Sequence, residues 1–374
     1  MSLATTPALA RLRGRFTAPA ASRVFIHRGS CSSTVDTSRV LDSIRASLGD
    51  RGTLAVEAAC DGACWAAPAA TVVRPGHRHR FPYLDREPID ALLACLDGAC
   101  NDAYAGSGAR GLLARVGHFD GSLADALAQG AYAAFAHAVT RRPEDVIDAV
   151  QHAGGAHVAT AQAWRLAERD HSQFLVVTVE SGDARDRHLL EGDPHRLIEG
   201  ILMAAHATGV TRAMIEVSPE ASDAHRAAGF AIAQAGAAGL LDGSALGSAG
   251  VEIEVRGSGT ARAATESLFL DVGALCAVTT VYDEPPPPTR LLALSGAVSR
   301  PGLYEVPVDG VMAWSGVLAA AGANPQRVGG LRLGDPTGRV IRSEAFEEPL
   351  ELGDLSSAVE ALSPDDFERE TAAR

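Results

Sequence analysis

The chain reads as a multidomain α/β protein, and three features of the sequence carry that reading. From residue 22 onward, β-rich runs alternate with stretches of helical periodicity, which implies a largely parallel sheet covered by helices where the alternation is regular. A run of four prolines, residues 285–288, then separates that region from a β-rich C-terminal stretch; such a run is a stiff polyproline linker and marks a boundary. At 374 residues the chain can hold two or three cores of ordinary domain size.

The elements follow in order. Residues 1–21 place Arg11, Arg13 and Arg15 among Ala, Pro and Thr without the apolar stretch of a secretory signal, so a disordered leader is expected. Residues 22–86 give strand, helix, strand, turn, strand. Residues 23–27 are β-rich, 38–48 carry Val40, Leu41, Ile44 and Leu48 at helical spacing, 53–59 alternate, and 69–73 are β-rich again after Pro68. His77-Arg78-His79-Arg80, between Pro75-Gly76 and Phe81-Pro82, reads as an exposed connector. Residues 87–142 form a helical connector, with helices predicted over 90–96 and 123–139.

Residues 143–284 form an α/β domain. Strands are predicted over 174–179, 212–217 and 251–255, with helices over 194–208 and 222–235; Asp193 caps the first of these helices and Pro194 opens it. Residues 289–342 make a small β-rich unit in which Arg300-Pro301-Gly302 turns between strands 291–295 and 303–308. Residues 343–374 read as an acidic, mobile tail.

Composition excludes several classes. With 47% hydrophobic and 21% charged residues the chain is neither disordered nor of a membrane class, and it has no apolar run of eighteen residues. A net charge of −13 disfavours a nucleic-acid partner, which needs clustered Lys and Arg. Six cysteines in a chain this long do not make a disulfide scaffold; they read as thiols or ligands in a reducing cytoplasm, with Cys95 and Cys100 as packed thiols.

Residues 189–200, 174–183, 294–298 with 300–307, and 59–68 together resemble the NADH-binding flavoprotein subunit of respiratory complex I and its hydrogenase and formate dehydrogenase relatives. Leu189-Leu190-Glu191-Gly192-Asp193-Pro194-His195-Arg196-Leu197-Ile198-Glu199-Gly200 resembles a signature of those subunits. Upstream, the strand from Phe174 and its acidic turn, Glu180-Ser181-Gly182-Asp183, resemble their nicotinamide- and ribose-binding turn. Leu294-Ser295-Gly296-Ala297-Val298 with the stretch from Arg300 to Pro307 resembles their soluble-ligand-binding β-grasp (SLBB) module. Cys60-Asp61-Gly62-Ala63-Cys64 resembles the second half of a thioredoxin-like [2Fe–2S] module.

The resemblance implies a thioredoxin-like module, a flavoprotein α/β domain and a β-grasp domain, in a degenerate and shortened relative. It implies FMN and NAD(H) as cofactors and other redox-complex subunits as partners, in the cytoplasm or peripheral to a membrane through the complex. Carried over position by position, the cofactor residues are Gly154, Gly155, Thr160, Trp164, Glu180, Gly182, Asp183, Gly257, Gly259 and Glu266. The departures are equally specific. His157, Ala159, Ala161 and Ala163 stand where the family has glycines, a proline and a lysine, so FMN should bind weakly. Cys31, Cys60 and Cys64 form a cluster set one thiolate short, and no cysteine follows Cys276, which argues against [2Fe–2S] and [4Fe–4S] clusters. His195 is expected to order its turn. Two functions follow: an NADH:acceptor oxidoreductase subunit with an eroded site, or a non-catalytic structural or regulatory subunit that docks to redox partners.

Overall fold

The computed structural model describes residues 5–20, 22–29, 37–49, 53–86, 89–99, 111–180, 183–258, 267–282, 289–307, 312–324, 327–334, 337–350 and 358–373. The chain divides into two compact units, each discontinuous: 1–18 with 121–290, and 19–120 with 291–374.

Helix α1 (Pro7–Arg13) opens the first unit, where the sequence predicts a disordered leader. Thr6 Oγ1 caps it by accepting from the Leu9 amide at 3.3 Å, and Leu9 and Leu12, three apart on one face, are buried. That apolar pair is what anchors the segment.

The second unit begins with β1 (Arg23–Arg28), α2 (Thr37–Leu48), β2 (Leu54–Ala59), β3 (Ala70–Arg74), β4 (His77–Phe81) and α3 (Ile89–Leu96). The sheet order is β2-β1-β3-β4, with β1 and β2 parallel and the other pairings antiparallel. The helical stripe Val40, Leu41, Ile44 and Leu48 packs in one core with Val24, Ile26, Ala70 and Val72. His77–Phe81 is a strand rather than the expected connector. Pro75-Gly76, with Gly76 at φ 74°, closes a hairpin, and Arg80 turns inward to pair with buried Asp61. Cys95 corrects another expectation: it is buried but disulfide-bonded rather than a packed thiol.

The first unit continues through α4 (Leu123–Ala128), α5 (Ala133–Ala138), α6 (Pro143–His152), α7 (His157–Arg169), β5 (Phe174–Val179), α8 (Ala184–Gly192), α9 (Pro194–Thr208), β6 (Arg212–Val217), α10 (Ser222–Ala237), β7 (Glu252–Gly257), β8 (Ser267–Leu270) and α11 (Val272–Val278). Its strands are all parallel, in the order β7-β6-β5-β8. The single helix predicted over 123–139 is two helices, because Gly130 (φ 92°) and Tyr132 (φ 63°) both adopt left-handed backbone. Tyr132 is held there: its amide donates to Glu199 Oε2 at 2.8 Å and its hydroxyl meets His195 Nδ1 at 2.8 Å. Helix α9 lies almost wholly buried, and a Cβ on its Gly200 would come 2.0 Å from the Leu275 carbonyl oxygen, so α9 and α11 pack closer than any side chain allows.

The C-terminal stretch holds β9 (Thr289–Gly296), β10 (Gly302–Pro307), α12 (Trp314–Ala320), β11 (Gly330–Leu333), β12 (Val340–Arg342), β13 (Ala358–Leu362) and α13 (Pro364–Ala373). The sheet order is β10-β9-β13-β11-β12, with β13 parallel to β9 and antiparallel to β11. The expected mobile tail therefore supplies the central strand: Val359, Ala361 and Leu362 enter the core beside Trp314 and Leu292. Within the second unit this sheet joins the N-terminal part. The Leu303 amide donates to the Gly62 carbonyl at 2.8 Å, and Glu305 accepts from the amides of Gly111, Leu112 and Leu113 at 2.8, 2.7 and 3.0 Å.

Candidate functional site

In the parallel sheet, β6 and β7 lie to one side of β5 and β8 to the other. The strand order therefore reverses between β5 and β8. In open α/β sheets, ligands bind in the crevice outside the carboxyl ends of the strands at such a switch point. Here the carboxyl end of β5 presents Glu180 and Asp183, and that of β8 presents Asp271.

These carboxylates differ in what they are free to do. Glu180 is exposed, and its carboxylate has no hydrogen-bond or ion-pair partner among the described residues. Asp183 is committed locally: it caps α8 by accepting from the Arg185 and Asp186 amides at 3.0 and 3.3 Å and pairs with the Arg185 guanidinium at 3.0 Å. Burial alone would raise its pKa, but those bonds outweigh burial and hold the carboxyl below the usual carboxylate range.

Asp186 spans the crevice from α8 to the start of α11, accepting from the Val272 and Gly273 amides at 3.1 and 3.0 Å. Burial, with Asp271 and Asp183 nearby, pushes its carboxyl up to about 7 against the Val272 amide and the Arg185 charge. It titrates near neutrality at the switch point. Sequence reasoning misses Asp186; its spacing three residues after the cap Asp183 is the available signal.

Gly154 and Gly155 form the turn between α6 and α7, both with left-handed backbone at φ 73° and 54°. A Cβ on Gly154 would meet nothing within 4 Å, and the same holds for Gly257 at the carboxyl end of β7. The stretch read as a glycine-rich loop becomes helical from His157 on. Thr160 and Trp164 sit on the inner face of α7, buried, as does Ala161, while Ala163 is half-buried. The His157 ring, itself buried, lies 3.2 Å from the Gly154 carbonyl and 3.3 Å from the Ala277 carbonyl, tying the turn to α11. The glycine turn and the β5–β8 crevice thus both adjoin α11. Gly182, Gly259, Glu266 and Cys31 lie outside the described residues.

Cys60 and Cys64 belong to the other unit, Cys60 buried and Cys64 half-buried, on either side of Asp61 and its buried partner Arg80. His195 is fully buried between Tyr132 and Gln234, its Nε2 2.9 Å from Gln234 Oε1, which suits an ordering role.

The backbone at Gly154 and Gly257 is open enough to face a phosphate, and the nearby positions His157, Ala159, Ala161 and Ala163 carry no fixed positive charge. A phosphate wants both converging donors and a charge partner.

A parallel sheet with acidic strand ends at its switch point and an open glycine turn beside it is the kind of place at which open α/β sheets take ligands. Residues 148–270 match the family described as the Nuo51 FMN-binding domain. The chain is 30% identical over 162 residues to an NADH-quinone oxidoreductase subunit of Aquifex aeolicus, covering 40% of this chain and 38% of that protein. It is 31% identical over 136 residues to the NADP-reducing hydrogenase subunit HndC of Solidesulfovibrio fructosivorans, covering 34% of this chain and 28% of that one. The chain thus spans well under half the length of these two curated relatives. A solved NAD+-reducing [NiFe]-hydrogenase in the H2-reduced state shares the fold with a TM-score of 0.55 at 20% identity, over 98% of this chain and 74% of that one.

Proposed function

We propose that this chain is an NADH dehydrogenase flavoprotein-like subunit of a multi-subunit redox complex, with an FMN and NAD(H) site that has lost part of its grip. The observation that carries it is that the matched segment, 148–270, contains the glycine turn, strand β5 with Glu180, and the β5 side of the crevice. FMN, when bound, supplies the hydride and electron chemistry. The chain's part is positional. Gly154, Gly155 and Gly257 expose backbone to a phosphate, and Glu180 offers an uncommitted carboxylate to the ribose or nicotinamide of NAD(H).

The second unit supports the rest of the reading. Its β2-β1-β3-β4 sheet with Cys60 and Cys64 suits a thioredoxin-like module, and its five-stranded sheet with α12 suits a β-grasp module. Cys31, Cys60 and Cys64 remain one thiolate short of a [2Fe–2S] cluster. Among the described residues no helix is long and apolar enough to cross a membrane, which is compatible with a peripheral place in such a complex.

A second reading, a non-catalytic subunit kept for docking to redox partners, is favoured by the commitment of Asp183 to Arg185 and of His157 to backbone carbonyls. Native purification followed by visible spectroscopy and an NADH:ferricyanide assay with added FMN separates the two. FMN-dependent turnover is expected of the first. Co-purification with redox subunits and no FMN-dependent turnover would establish the second.

A further inference from the structure

We propose that the C-terminal sheet carries a binding site for a small anionic metabolite, independent of any cofactor in the first unit. A cavity of about 670 Å³ opens between the β9–β10 turn, the residues Gly322, Asn324 and Arg327, and the start of α13. That volume lies within the usual range for small-molecule sites. Val298 and Pro364 give it apolar wall, while Ser299, Asn324, Ser363 and Arg327 give it polar groups.

The polar groups are not equivalent. Ser299 Oγ donates to the Gly322 carbonyl at 2.8 Å, and Ser363 Oγ donates to Asp366 at 2.6 Å, so both hydroxyl protons are already used within the fold. Recognition of charge falls to guanidinium groups. Arg327 lines the cavity and is exposed. Arg300 lies against Gly322, another lining residue: a Cβ there would stand 3.0 Å from Arg300 Nε and 3.3 Å from its Nη2. Glycine at 322 thus leaves room for that guanidinium at the cavity edge.

Neither arginine has a carboxylate partner among the described residues, although this chain carries a net charge of −13. Elsewhere in the same C-terminal stretch, Arg332 pairs with Glu360 and Glu370, and Arg369 pairs with Asp366. The acids of the first turn of α13 are Asp365 and Asp366, and Asp366 is turned toward Arg369 and Ser363. Two uncompensated guanidiniums beside a partly apolar cavity suit a planar or tetrahedral anion on a compact organic body, because the guanidinium fork matches carboxylate and phosphate oxygens.

The test is calorimetric titration of the full chain with inorganic phosphate, glycerol 3-phosphate and succinate, up to about 10 mM each. Binding of at least one is expected, and preference for the phosphate ester or the dicarboxylate tells which anion the site takes. Arg327→Ala and Arg300→Ala should each weaken it about tenfold, with partial rescue by Arg327→Lys. Val298→Trp, which fills the cavity, should abolish it. Arg212→Ala, at an exposed pair in the first unit, should leave it unchanged. No binding of any of the three, or equal binding by the wild type and the double arginine variant, overturns the proposal.

Discussion

Each unit buries a glutamate that gathers backbone amides. Glu199 accepts from Tyr132, Ala134 and Phe135, while Glu305 accepts from Gly111, Leu112 and Leu113. The settings differ. Glu199 sits on a buried helix and holds the start of another helix, α5, with His195 one turn earlier bracing the same Tyr132. Glu305 sits on a strand and holds a non-helical segment nearly two hundred positions away along the chain. A helix start brings its own converging amides, so Glu199 completes a local motif. The segment at 111–113 has no such local reason to present three amides together. There the carboxylate organises the loop, and with it the joint between two distant stretches of sequence.

The largest expected effects test that contrast directly. Glu305→Ala and Glu199→Ala should each cost about 3–5 kcal/mol in urea unfolding, since each strands buried amides that lose a charged acceptor. Hydrogen exchange should then show loss of protection around Leu112 and Leu113 in the first variant and at the start of α5 in the second. Retained protection at Leu112 in Glu305→Ala would mean that the loop is ordered by something else.

Next in size is a pH effect confined to the first unit. Asp186 has its carboxyl raised to about 7 in the folded chain, well above the ordinary aspartate range that holds when the chain unfolds. The stability it contributes is therefore complete below the unfolded value and is lost as pH rises through the folded one. Between pH 5.5 and 7.5, Asp186→Asn should gain on the order of 1–2 kcal/mol relative to wild type. Parallel stability curves for the two proteins across that window would show that Asp186 is ionised throughout.

The flavin site follows. The wild-type protein should purify essentially free of flavin and bind added FMN in about the micromolar range or weaker, read by fluorescence quenching. Ala163→Lys restores a cation at a half-buried position on α7 and should tighten binding about tenfold. Nanomolar binding by the unmodified chain would place the phosphate on other residues. The smallest effect is local: Tyr132→Phe removes the hydroxyl that meets His195 and should cost about 1 kcal/mol, with the fold retained.

Much of the first unit was legible because its signals are local. The strands 174–179 and 212–217 and the helix 194–208 match the predicted spans, and Asp193 caps its helix by accepting from the Arg196 amide at 3.2 Å. Apolar runs, a Pro at the first helical position and an Asp before it act within a few residues. The candidate site was legible in part for the same reason: Gly154 and Gly155 do turn, and Glu180 and Asp183 do follow β5. Asp186 was not, since its partners Val272 and Gly273 stand far along the chain.

By itself, then, the sequence determined the parallel alternation of strands and helices and the likeness of residues 148–270 to the FMN-binding family. Tertiary structure decided what local pattern cannot encode. It made 358–362 a central strand, because two neighbours there offer both unpaired edges and apolar cover. It made His77–Phe81 a strand by giving Arg80 a buried Asp61, and it made the N-terminal Pro7–Arg13 a packed helix by burying Leu9 and Leu12. A short or polar segment gains too little from its own periodicity to fix its state. Its structure is set by the partner that offsets the ordering entropy, and that partner is distant in sequence.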